Sequence, residues 1–245
     1  VQLTNRSKKQ RTIRVVLLVA GILIIFGIVK LYQTYGKIYR SNVDVASGEY
    51  AYLYIPTGSE MEDVMDSLKT RQWLKDRESF RWLAQKKNYS SHVNPGRYKV
   101  RDGMSNNGLI NMLRSGNQDP VDVIFNNIRT TSDLAGVISR QIEADSASMV
   151  SLLNDKEFLE PFGMNPQTAP AMFIPNTYEF WWNTSARAFI RRMHREYERF
   201  WTDERRSQSG DMGMNPVKVT TLASIVDEET IHDDEMPEIA GVYMN

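Results

Sequence analysis

Three consecutive carboxylates, Asp227, Glu228 and Glu229, close the run VKVTTLASIVDEET, and they carry the clearest capacity for chemistry in this 245-residue chain. Helical phase separates them. At about 100° per residue Glu229 falls about 20° from Leu222 and within about 60° of Val226, on the stripe that also holds Val219 and Ile225. Asp227 and Glu228 point away, toward solvent. An ionised carboxylate on an apolar face is costly, so Glu229 is expected to hold its proton to higher pH, as a general acid working near neutrality must. Other chemistries are excluded by what the sequence lacks. There are no cysteines, hence no thiolate nucleophile, disulfide scaffold or Cys-ligated metal. His92, His194 and His232 are too far apart to form a pair at metal-ligand spacing, and no Gly-rich phosphate loop occurs, so neither a metal nor a cofactor is expected.

Elements must hold that carboxylate in place, and the pattern supplies them. Pro216 sits in the first turn of the helix over 217–230. Before it runs a polar stretch from Thr202 to Asn215, preceded by a helix from Ala186 to Trp201. Upstream again, MFIPNTYEFWW packs five aromatics and a proline into eleven residues. Phe173, Phe180 and Trp182 of this block suit a core, and Trp181 has no evident role. From Pro120 the chain starts with the strand-like VDVIF. Thr131 or Ser132 then caps a helix through Ile142, and a further capped segment begins near Ser146.

The preceding part reads as a separate module. Tyr50 to Ile55 alternates like a strand, Ser59 is a plausible N-cap, and Met61, Val64, Met65 and Leu68 keep helical spacing. Phe80, Leu83 and Ala84 share one stripe of a helix over 73–86, Arg97 to Val100 is a short strand, and Met104 to Arg114 is a helix with Ser105 near its start and Gly116 at its end.

Residues 15–29, VVLLVAGILIIFGIV, carry no charge and lie between Arg14 and Lys30. With their flanks they reach about 20 residues, enough for roughly 30 Å of hydrocarbon. A cleavable signal peptide is the competing reading, but no small-residue cleavage site follows, which favours a retained anchor. Arg6, Lys8, Lys9, Arg11 and Arg14 hold the amino-terminal end in the cytoplasm by the positive-inside rule, placing the remainder outside. The organisation expected is a cytoplasmic tail (1–14), a transmembrane helix (15–32), a polar linker (33–48), a small α+β module (49–118) and a mixed α+β domain (119–245), α+β in class throughout. Thirty basic and thirty acidic residues cancel, so no global field draws the chain to nucleic acid.

LASIVDEET followed by PEIAGVYMN resembles the signature of the YceG-like (MltG) endolytic murein transglycosylases. MFIPNTYEFWWNTS resembles that family's upstream aromatic block, and PGRYKVRDGMSNNGLINMLRSG resembles a segment of its LysM-like module. The resemblance implies that Glu229, just before Thr230, is the catalytic acid, and that peptidoglycan glycan strands are the substrate. It implies cleavage of the β-1,4 bond from N-acetylmuramic acid to N-acetylglucosamine without water. The acid protonates the leaving oxygen, and its conjugate base takes the proton of the C6 hydroxyl, which closes onto C1 as a 1,6-anhydro end. It implies an inner-membrane protein with its catalytic part in the periplasm, peptidoglycan synthases as partners, and a catalytic domain that continues beyond Asn245. Asn176, Tyr178, Glu179 and Asn245 are assigned to binding the glycan. Two readings compete: a non-catalytic, membrane-anchored glycan-binding scaffold, and a hydrolase, which would need a second carboxylate flanking the bond.

Overall fold

The computed structural model describes residues 2–45, 48–126 and 128–244, and Asn245 lies outside them. The chain is α+β and divides into two compact units, Val1–Asp119 and Pro120–Asn245.

The first unit opens with helix α1, Gln2–Tyr39. Its stretch Val16–Tyr39 is long and apolar enough to cross a membrane, and its most apolar part is not buried by the protein, while Ile38 near its end packs partly against the core of the unit. Exposed Leu, Ile and Val side chains on every face fit lipid rather than a protein core. Sequence reading placed a linker over 33–48, but the helix continues to Tyr39. Ser41 and Val43 then form single bridges with Ser105 and Leu74. Val43 and Val45 are buried, because their alternation turns both inward beneath the module.

Strand β1 (Tyr50–Ile55) pairs antiparallel with β2 (Gly96–Arg101), from Tyr50 opposite Arg101 to Ile55 opposite Gly96. Leu53, Ile55, Tyr98 and Val100 face the core from this sheet. Tyr50 and Tyr52 face outward, with Lys99 Nζ 3.9 Å and Arg97 Cζ 4.2 Å from their ring centres. Helix α2 (Met61–Thr70) buries the four residues of its apolar stripe, Met61, Val64, Met65 and Leu68. Glu60 rather than Ser59 is its cap residue, the Glu60 N–H donating to Asp63 Oδ2 at 2.7 Å. Helix α3 (Arg77–Lys86) starts later than the pattern suggests, at the Asp76 cap, and Trp73 and Leu74 are buried ahead of it. Helix α4 (Asn106–Ser115) begins at Ser105, whose hydroxyl accepts from the Gly108 N–H, and ends at Gly116, whose φ of 67° is easiest for glycine.

In the second unit β3 (Val121–Phe125) pairs antiparallel with β4 (Asn176–Phe180), so that Val123 faces Tyr178 and Asp122 faces Glu179. Between them run α5 (Thr131–Ser139), α6 (Ser146–Asn154) and the single turn α7 (Lys156–Leu159). Thr130, one residue before the expected position, caps α5. Helix α8 (Ala186–Phe200) lays Phe189, Ile190, Met193 and Tyr197 on the core. Phe189 is central there, its ring 5.1 Å from that of Phe180 and 6.2 Å from that of Phe173. Helices α9 (Asp203–Asp211), α10 (Pro216–Glu229) and α11 (Met236–Met244) complete the unit.

Candidate active site

Helix α10 delivers the carboxylates. Asn215 caps it, its Oδ1 accepting from the Lys218 N–H at 2.9 Å, and Pro216 occupies the first turn. The helix stops at Thr230, whose backbone is extended while its N–H still reaches the Val226 carbonyl at 3.3 Å. Buried Thr230 also fixes the turn that follows. Its hydroxyl donates to Glu235 Oε2 at 2.7 Å and accepts from the His232 N–H at 3.0 Å. That double tie sets the return angle of α11 against α10.

Across this hairpin the Tyr243 hydroxyl donates to Glu229 Oε1 at 3.1 Å. The carboxylate holds the Tyr243 proton in place, so the phenol ionises only above its ordinary range. No other hydrogen bond engages Glu229 among the described residues, which leaves Oε2 for an incoming group. Glu228 points elsewhere, ion-paired to Arg129 at 2.7 Å, and Asp227 is exposed.

The burial expected of Glu229 is not found: its side chain is exposed. Val226 is the buried residue of α10, Val217 and Val219 pack partly against the core, and Ile225 is 38% exposed. The helix thus rests on the unit through Val217 and Val219 in its first turn and through Val226 later on. Glu229, last in the helix, extends past that contact and meets Tyr243 instead. Exposed apolar side chains continue onto the hairpin at Ile231, Val242 and Met244.

The aromatic block splits by strand alternation. Tyr178 is 9% exposed, stacks on Phe125 at 5.6 Å and donates its hydroxyl to the Ile174 carbonyl at 2.8 Å. Its ring therefore faces the core rather than a groove. Phe173 and Phe180 are buried as well, and Trp182 is half-buried. Asn176 is exposed at the strand end, its Oδ1 accepting from the Thr177 N–H. Glu179 is exposed and lines an open cleft of about 350 Å³ with Trp181, Thr184, Arg192 and Arg195. No residue of α10 or α11 lines that cleft, so Glu179 and Glu229 sit at different places on the unit. Tyr243 and the α8 arginines escape a sequence reading because each is brought to its site by a separate element, with no helical or strand spacing to announce it. Among the described residues no group of three or more His, Asp or Glu side chains could hold a metal ion.

The chain thus combines a helix long and apolar enough to cross a membrane with two α+β units, the second of which ends its helix α10 in a solvent-facing glutamate. Residues 53–245 match the model of the YceG-like family, and the chain belongs to that family. No curated protein matches significantly. Among solved structures, a YceG-like protein of Listeria monocytogenes is similar at 18% identity, covering 78% of this chain and 67% of its own, with a TM-score of 0.45.

Proposed function

We propose that this chain belongs to an endolytic peptidoglycan lytic transglycosylase in which Glu229 is the acid and then the base. The observation that carries the reading is family membership over 53–245, which takes in Glu229 and the partner helix that supplies Tyr243. Tyr243 holds Oε1, so Oε2 is the oxygen that protonates the glycosidic oxygen. The resulting carboxylate then accepts the C6 hydroxyl proton as that oxygen closes onto C1. A second carboxylate is not required, because the nucleophile belongs to the substrate. Asn176 and Glu179 are the groove residues of this reading that have exposed side chains. In this reading helix α1 is a membrane anchor with its basic amino-terminal flank inside and residues 40 onward on the outer side of the inner membrane, facing glycan strands and their synthases; the apolar length of α1 and the positive-inside rule support it.

The test is digestion of purified peptidoglycan by the parent protein and by Glu229→Gln, with product ends read by mass spectrometry. Anhydro-muramyl ends from the parent alone are expected. Reducing ends would make it a hydrolase, and no product from either protein would leave the glycan-binding scaffold.

A further inference from the structure

No acidic residue precedes Asp44, so the part of α1 that leaves its apolar stretch carries cations alone, at Lys30, Lys37 and Arg40. The Asp44 carboxylate is 3.8 Å from Lys75 Nζ, and no carboxylate pairs with Lys37 or Arg40 among the described residues. Arg40 instead reaches back along the helix. Tyr32, Gly36 and Arg40 follow at four-residue intervals and share one face. A Cβ on Gly36 would lie 3.3 Å from Arg40 Nε, so the absent side chain is the notch that admits the arginine. Its guanidinium rests over the Tyr32 ring, Cζ 4.9 Å from the ring centre, and donates to the Tyr32 hydroxyl. Most of its N–H donors remain for another acceptor.

The return sets the depth of the charge. About 20 residues fill the hydrocarbon, which puts its boundary near Tyr32, and the headgroup layer beyond is roughly 5–8 Å thick on each side. Arg40 begins eight residues, about 12 Å, past Tyr32. Pointing outward it would carry its charge above the headgroups; folded back it carries the charge among them. Exposed Lys37, three residues before Arg40, adds a second cation on the adjoining side of the helix. Ile38, about 200° round from Gly36, is the residue that packs partly against the core, so the Tyr32–Arg40 face is turned away from the first unit. The same face continues down the helix as exposed Ile24 and Ile28.

We infer that Arg40 and Lys37, positioned by Tyr32 and the Gly36 notch, form a headgroup site selective for an anionic phospholipid. The lipid phosphate accepts from the guanidinium and from Lys37, and the acyl chains lie along Ile28 and Ile24. A zwitterionic lipid brings its own ammonium group against these two cations, which disfavours it. The inference rests on the membrane-anchor reading of α1 proposed above and adds a lipid preference to it.

Photolabelling of the full chain in phosphatidylcholine nanodiscs tests it. Trace phosphatidylglycerol or trace phosphatidylcholine carries a diazirine beside the glycerol, and labelled peptides are read by mass spectrometry. Peptides within residues 31–40 report this site, and those within 1–14, on the other flank, are the internal reference. At about five-fold for each cation, phosphatidylglycerol should label 31–40 more than about ten-fold above phosphatidylcholine. Arg40→Ala should lower that label about five-fold, and Gly36→Leu, which keeps the charge but fills the notch, at least about two-fold, with 1–14 unchanged in both. Circular dichroism confirms that each variant is folded. Equal labelling of 31–40 by the two lipids, or parent-level labelling in either variant, overturns the inference, as does loss of the label to millimolar inorganic phosphate, which would make this a site for the free ion. A third lipid, with its diazirine at the end of the acyl chain, separates the two readings. Its label in 15–30 keeps the anchor whether or not the lipid preference holds, and its absence there removes the anchor and the headgroup site together.

Discussion

Replacing Asn106 by alanine should loosen the whole first unit, because this one side chain ties its amino-terminal helix to two others. Asn106 is 1% exposed. Its Nδ2 donates to the Lys37 carbonyl on α1 and to Ser79 Oγ on α3, both at 2.9 Å, and its Oδ1 accepts from Asn42 Nδ2 at 2.7 Å. Alanine removes all three. Asn42 keeps its bond to the Asp76 carbonyl and Ser79 keeps its own, so the Lys37 carbonyl is the group left without its partner. At about 0.5–1.5 kcal/mol net for each bond, with the higher end favoured by burial, the loss sums to about 3 kcal/mol. That corresponds to a change of more than about 100-fold in an opening equilibrium. Hydrogen exchange followed by mass spectrometry reads it directly: in micelles, peptides from α3 and α4 should exchange about 100-fold faster in Asn106→Ala, while peptides from α8 keep the parent rate. Exchange of α3 and α4 within about five-fold of the parent would refute the claim that this network clamps the helices.

Two further outcomes follow from the same kind of accounting. Tyr178→Phe should cost about 1 kcal/mol of stability by denaturant titration, through the lost bond to the Ile174 carbonyl, and leave glycan affinity unchanged; a loss of affinity with stability intact would return Tyr178 to the groove. Burial pushes the Tyr98 hydroxyl up to about 12, from about 10 in an unfolded chain, so the folded state holds the proton more tightly. Its contribution is therefore complete below about pH 10 and is lost as pH rises toward 12, and Tyr98→Phe should flatten the stability profile of the first unit over that window. An unchanged slope between parent and variant would contradict it.

Elements with a strong local pattern were legible from the sequence. The stripe of α2, the Ser105 and Gly116 boundaries of α4 and the Pro216 start of α10 are set by side chains within a few residues, and the structure places them accordingly. Features with no apolar pattern to mark them, or decided at longer range, were not. Asp203–Asp211 is a helix although it has almost no apolar residues, because Thr202 caps it and Arg206 bonds back to the Trp201 carbonyl and to Glu198. Tyr178 looks like a ligand-facing ring until the pairing with β3 fixes which side of the sheet it occupies. Glu229 has the phase of a buried residue, but phase states only which face it shares; whether that face is covered depends on other elements. Here it is met by Tyr243, fourteen residues later and on another helix.

The unbroken passage of α1 into the module carries a mechanical consequence. A flexible tether would let its cargo sample a hemisphere; a helix whose last turn is pinned at Lys37 by Asn106 removes that swing. Val16–Tyr39 has 24 residues, so its length is about 36 Å, a little more than the hydrocarbon of a bilayer. Once α1 is seated in lipid, the first unit is a mast without a swivel. It stays at a fixed altitude, free to spin about the helix axis and to drift in two dimensions. Encounters with other membrane-borne proteins are then confined to a thin layer, where small numbers of molecules reach high effective concentrations without any added affinity.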